Sequence, residues 1–336
     1  MQPFNTGHED TVHDVQYDFY GRSVATCSSD QHIKVFKLDR ESTQWVLNDS
    51  WRAHDSSIVS LDWASPEYGR LIASASYDKT VKIWEEDPDQ EECSGRRWTR
   101  LCTLNDSKGS LYCVKFAPAH LGLRLACIGN DGMVRIYDAL DPSNLRSWAL
   151  TTEINVLPVA PANNLQSAFG LSWCISRFSA EKLAVCALDQ AYIYQRAKDG
   201  NMYQAGKLPG HASLIRCISW APSIGRSYHL IATGCKDGKV RIFKVNERQS
   251  GESTPALSDD EMTMDGAKSP KPRQSNLQVE LLSEHDDHKS EVWSVSWNLT
   301  GTILSSTGED GKVRLWKSTY SKEYKCMSII TAKQNI

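Results

Sequence analysis

Apolar and polar positions alternate along this chain in short runs of four to seven residues. "SIVSLDW" (57–63), "LIASASY" (71–77) and "TVKIW" (80–84) are rich in valine, isoleucine and aromatics, the composition of strands that pack on a pleated surface. Pairs such as Asp-Lys, Asp-Gly and Asp-Gln separate the runs. Their short polar side chains bond nearby backbone and tolerate tight bends, so the pattern predicts strands joined by turns.

The runs repeat as a group. An aliphatic residue precedes an aromatic by two at Val15-x-Tyr17, Leu61-x-Trp63, Val114-x-Phe116, Leu171-x-Trp173, Ile218-x-Trp220 and Val295-x-Trp297. A small residue then precedes an acid by five: Ala25 and Asp30, Ala73 and Asp78, Ala126 and Asp131, Ala184 and Asp189, Ala232 and Asp237, Ser305 and Asp310. An aromatic follows the acid by six in five units (Phe36, Trp84, Tyr137, Phe243, Trp316) and by five at Tyr194. A fourth apolar stretch closes each unit, from "TQWVLNDSW" in the first to "YKCMSIITA" in the last. Four short strands repeated six times predict an all-β, six-bladed WD-repeat β-propeller, a single domain over residues 1–336.

The polar anchors fit that reading. His8, His54, His211 and His288 open four units, and the acids are Asp30, Asp78, Asp131, Asp189, Asp237 and Asp310, with Trp84 and Trp316 following in units two and six. In WD repeats histidine, hydroxyl, acid and tryptophan bond to one another. A buried carboxylate requires such partners, since burying it unpaired is costly. A Ser-His-Asp catalytic triad is the competing reading, but catalysis does not need several copies of one constellation. Units three and four lack the opening histidine, and packing is expected to hold those blades.

Between the third and fourth strands of blade five the pattern breaks. Residues 247–274 are polar and acidic and carry serine and proline, so they are expected to form a disordered loop. Thr254 and Ser269 each precede a proline there and are candidate phosphorylation sites. A shorter insertion in blade two, "EEDPDQEECSGRR", reads as a solvated surface where acids meet Arg96 and Arg97.

Closure is the open question of such a ring. WD propellers commonly lock by letting the N-terminal segment supply the last strand of the final blade. Here blade one has four strands of its own after Gly7, blade six has its own fourth strand, and "MQPFNT" is short and carries Pro3, which cannot donate a ladder hydrogen bond. The expectation is an open ring without strand exchange, completed by strands from a partner. The expected lining is Val12, His13, Val15 and Tyr17 on blade one. On blade six it is Val292, Val295 and Trp297, with Tyr324, Met327 and Ile329 at the rim.

Composition narrows the function. The net charge of -3 predicts neither a direct nucleic-acid nor a direct membrane partner. No run approaches the ~18 apolar residues of a membrane span, and the first residues lack a signal-peptide pattern. Ten scattered cysteines without a CxxC pair read as buried, reduced thiols rather than a disulfide or zinc framework. No nucleophile elbow or phosphate loop is present, so no enzyme activity, metal or cofactor is expected.

Three long stretches are specific beyond the repeat: "SWRAHDSSIVSLDWASPEYGRLIASASYDKTVKIWEEDPDQEECSGRRW", "NDSKGSLYCVKFAPAHLGLRLACIGNDGMVRIYDAL" and "HDDHKSEVWSVSWNLTGTILSSTGEDGKVRLW". They resemble the Seh-one family, the Sec-thirteen-homologue WD-repeat nucleoporins, in its fungal form. The resemblance spans nearly the whole chain and fails only in the blade-five loop. It implies a scaffold subunit of the Y-shaped coat of the nuclear pore complex at the nuclear envelope. It also implies a second assembly at the vacuolar (lysosomal) membrane that regulates the TOR pathway, with indirect membrane association. The implied partner is an α-helical scaffold nucleoporin of the eighty-five type that donates a blade, alongside other Y-complex nucleoporins. The alternative is a WD-repeat adaptor reading a peptide on the top face. The loops entering each blade are small and polar, with Arg216 the obvious anchor, which favours the scaffold.

Overall fold

The computed structural model describes residues 4–141, 144–159, 161, 166–177, 179–247, 277–321 and 323–331. Thr254, Ser269 and residues 248–274 of the expected blade-five loop lie outside the described residues. Residue 247 belongs to a strand instead, because the Glu247 carboxylate is held by Lys182 and His229 at 2.5 and 3.2 Å.

Six four-stranded antiparallel sheets form, each from a continuous stretch of chain. Blade one holds β1 (Val12–Tyr17), β2 (Ser23–Ser28), β3 (His32–Leu38) and β4 (Trp45–Arg52). Blade two holds β5 (Ile58–Trp63), β6 (Leu71–Ser76), β7 (Val81–Glu86) and β8 (Trp98–Leu104). Blade three holds β9 (Leu111–Phe116), β10 (Arg124–Gly129), β11 (Met133–Ala139) and β12 (Trp148–Asn155). Blade four holds β13 (Phe169–Trp173), β14 (Lys182–Ala187), β15 (Gln190–Arg196) and β16 (Met202–Leu208). Blade five holds β17 (Ile215–Trp220), β18 (His229–Cys235), β19 (Val240–Glu247) and β20 (Leu277–His285). Blade six holds β21 (Val292–Trp297), β22 (Ile303–Gly308), β23 (Lys312–Ser318) and β24 (Tyr324–Thr331).

The core lies between blades. The second strand of blades one, two, four and five is buried at every residue, which explains why those strands read as continuous small and apolar runs. The innermost strand of each blade packs on that of the next, from β1 on β5 to β17 on β21. The sixth-to-first junction is the exception: among the described residues no strand of blade six packs on blade one in this way.

The turn between the second and third strands sets the polar anchors. The residue after the acid has positive φ in five blades: Gln31, Lys79, Gly132, Gly238 and Gly311. The acid's Oδ1 accepts the main-chain N–H two residues on, as from Thr80 to Asp78 at 3.0 Å and from Lys239 to Asp237 at 3.0 Å. In blade four a two-residue turn, Leu188-Asp189, replaces the three- or four-residue turns of the other blades, with Leu188 at φ 57°. The missing residue is why Tyr194 follows its acid by five. It also leaves Asp189 exposed, with no side-chain hydrogen bond to a histidine among the described residues, a correction to its expected role.

Candidate functional site

Polar networks fix blades one, two and six. In blade two, His54 Nδ1 lies 2.7 Å from Asp78 and Nε2 2.8 Å from Ser74 Oγ, which also accepts Trp84 Nε1–H at 2.9 Å. Blade six repeats this with His288, Asp310 (3.1 Å), Ser306 (2.7 Å) and Trp316 (2.8 Å). In blade one His8 meets Asp30 at 2.7 Å and Thr26 at 2.8 Å. Burial opposes ionisation of Asp78 and Asp310. Hydrogen bonds from His54 and Thr80, and from Arg314 and His288, outweigh it and hold both carboxyls well below the usual range, Asp310 at about 2.

Blade five departs from expectation. His211 meets Thr233 at 2.9 Å and the Leu208 carbonyl at 3.3 Å, and Asp237 is taken by Arg241 at 2.8 Å. Asp131 of blade three pairs likewise with Arg135 at 2.8 Å. Sequence reasoning missed these cations. Lys34, Lys82, Arg135, Arg241 and Arg314 share one position near the start of the third strand, four residues after the acid, and that spacing was the available signal. Lys82 donates to the Ala53 carbonyl at 2.9 Å and Arg314 to that of Asp287 at 2.9 Å.

The open flank is defined by comparing equivalent positions. Val15 is 48% exposed, whereas Leu61, Val114, Leu171, Ile218 and Val295 are at most 7% exposed. Tyr17 is 58% exposed, whereas Phe116, Trp173 and Trp220 are at most 8% exposed. Val12 and His13 are exposed as well. The outer half of the same face is covered by the chain's own N-terminal segment. Phe4 packs edge-on to Phe36 at 5.1 Å and against Trp45 at 6.1 Å. Trp51 does the same for blade two against Trp84 and Trp98. Phe4 therefore lies on blade one, and among the described residues the segment forms no strand with blade six.

The blade-six wall differs from the expected one. Val292, Val295 and Tyr324 are buried in the cluster shared with blade five. Trp297 donates its Nε1–H to the Ser219 carbonyl at 3.2 Å. The two-residue pleat, together with the irregularity between Val292 and Ser294, puts the three β21 residues on the face turned toward blade five. The opposite face carries Ser294, Ser296, Ser305, Thr307, Val313 and Leu315, all partly or fully exposed. Met327 and Ile329 are exposed at the rim, as expected, and Ile330 beside them is also exposed.

The top-face anchor is already engaged: Arg216 is ion-paired with Glu291 and stacks on Trp293 with its guanidinium 4.7 Å from the ring. The blade-two insertion is not merely solvated. Arg97 is buried against Glu86 at 2.7 Å, and the fully buried Asp49 of β4 accepts the Gly95 and Arg97 N–H groups at 2.8 and 3.0 Å.

Comparison with known proteins agrees with this architecture. The family "WD domain, G-beta repeat" matches residues 1–37, 45–85, 202–244 and 279–317. Nucleoporin SEH1 of Saccharomyces cerevisiae is 70% identical, over 99% of this chain and 100% of that protein. Nucleoporin seh1 of Schizosaccharomyces pombe is 42% identical over 98% of this chain and 96% of its own length. Nucleoporin SEH1 of Homo sapiens is 37% identical over 96% and 86%.

Proposed function

The chain belongs to the SEH1 family of nucleoporins, and from that premise we propose that it is a structural subunit of the nuclear pore complex whose open flank receives a blade from a partner. The family is a structural, non-enzymatic one built on WD repeats. The single observation that supports blade donation is the exposure of Val15 where every other blade buries its counterpart, joined by Tyr17 where blades three, four and five bury theirs. Exposed sheet faces of this kind are normally covered, and strand addition is the economical way to cover them.

The partner in this reading is an α-helical scaffold nucleoporin of the eighty-five type within the Y-shaped coat. A second assembly at the vacuolar membrane, regulating the TOR pathway, uses the same flank. Insertion should bury more than about 2,000 Å², the range of permanent complexes. The peptide-reading alternative is weaker because Arg216 is already satisfied by Glu291 and Trp293. Affinity purification of the full chain with mass spectrometry tests the proposal: co-purification of an eighty-five-type scaffold protein in stoichiometric amount supports it. Recovery of short-peptide-bearing clients without that protein contradicts it.

A further inference from the structure

Four of the five closed junctions share a bonding rule between successive innermost strands. Three residues before the strand's aromatic stands a side chain that accepts a main-chain N–H from the next blade. Asp14 accepts from Leu61 at 2.9 Å and Ser60 from Val114 at 3.3 Å. The N–H groups of Leu171 and Val295 face the Cys113 and Cys217 thiols in the same way. Gly170, at this position in blade four, has no side chain to offer. One residue before the aromatic, Asp62 accepts the Phe116 N–H at 2.7 Å and Ser172 the Trp220 N–H at 2.8 Å. The carbonyl of that same position accepts an indole N–H from the next blade: Gln16 from Trp63 at 3.0 Å, Lys115 from Trp173 at 3.2 Å, Ser219 from Trp297 at 3.2 Å.

On blade six these two positions are Ser294 and Ser296. Both are exposed, and neither hydroxyl has a partner among the described residues. Behind them the second strand changes character. The residue paired with the penultimate position is Ala25, Ala73, Ala126, Ala184 or Ala232 in the closed blades, and Ser305 in blade six. The Ser305 hydroxyl donates to the Ser296 carbonyl at 3.1 Å, and that of Thr307 to the Ser294 carbonyl at 3.4 Å. Ser305 therefore bonds the carbonyl that an incoming indole would otherwise take, and a carbonyl oxygen has a second lone pair for that indole.

We propose, resting on the blade-donation reading, that Ser294 and Ser296 are the register-setting acceptors for a strand supplied by the partner. The strand runs parallel to β21, because at four of the five closed junctions donor and acceptor positions rise together along the two chains. Two of its alternate N–H groups bond the Ser294 and Ser296 hydroxyls, as those of Val114 and Phe116 bond Ser60 and Asp62. Continuity with the five existing junctions identifies the occupant as an innermost blade strand from another chain. Ser305 and Thr307 keep the uncovered face hydrated, and are small enough for the strand to approach.

The test uses the full chain and the intact eighty-five-type scaffold nucleoporin, with binding measured by biolayer interferometry. The Ser294→Ala/Ser296→Ala double variant should weaken binding about tenfold or more, with an unchanged melting temperature, since both hydroxyls are exposed and unbonded. Ser305→Ala/Thr307→Ala, which restores a small apolar second strand, should bind within about threefold of the unmodified chain but aggregate sooner when alone. Equal affinity of the Ser294/Ser296 variant and the unmodified chain overturns the register assignment while leaving blade donation standing. Failure of the unmodified chain to bind overturns the underlying reading and the register with it. A self-dimer abolished by the same double substitution overturns the choice of occupant.

Discussion

His54, Ser74, Asp78 and Trp84 share one unbroken set of hydrogen bonds, so removing one member orphans the others. Asp78→Ala should cost about 1–3 kcal/mol, the penalty for leaving buried polar groups unpaired. Asp189→Ala should be nearly neutral, since that carboxylate is exposed in a shortened turn. Urea denaturation of both variants checks this, and equal losses would contradict a blade-specific network. The histidines make a second prediction. Burial lowers the pKa of His8, His54, His229 and His288, and pushes His211 down to about 4. The unfolded chain therefore binds more protons than the folded one below the ordinary histidine value of about 6.5, and stability falls as pH drops from there toward 4. Melting temperature should be flat above pH 7 and decline between pH 6.5 and 5. A rise on acidification would contradict it. The depressed Asp78 and Asp310 act lower down, their contribution lost only as pH falls below the ordinary carboxylate range.

Strands were legible in the sequence because a period of two with β-branched and aromatic residues survives any tertiary context, and each predicted unit became one sheet. What misled at this scale was register. In blade four, a residue lost from one turn moved Asp189 out of place. On β21 the apolar residues Val292, Val295 and Trp297 belong to the closed junction, and the serines between them face the opening. A strand's apolar side marks what it already buries, so the apolar pattern pointed away from the uncovered wall. The blade-two insertion shows the same limit: charged composition suggested a solvated loop, yet Asp49 on β4 ties it to blade one. Asp49→Ala should destabilise by about 2 kcal/mol, because it leaves two N–H groups without their acceptor. A loss below about 0.5 kcal/mol in denaturant unfolding, the level of an ordinary surface substitution, would show that the insertion is only draped over the surface.

For the whole molecule, the count of four strands in each of six units carried the open ring, and the structure agrees: blades one to six pack in sequence, with no such packing between the last and the first among the described residues. The N-terminal segment covers the outer part of the blade-one face through Phe4 and His8, a contact that no periodicity in the sequence announces. Val15 and Tyr17 remain exposed on the inner strand of blade one, and Ser294 and Ser296 on that of blade six. The central claim is that a partner strand fills the space between them. Amide hydrogen exchange of the full chain, alone and co-purified with the eighty-five-type scaffold nucleoporin, tests it most directly. The account predicts rapid exchange in β1, β21 and β22 of the isolated chain, marked slowing there in the complex, and unchanged rates in blades three and four. Full protection of β1 and β21 in the isolated chain, or slowing confined to other blades, would contradict it.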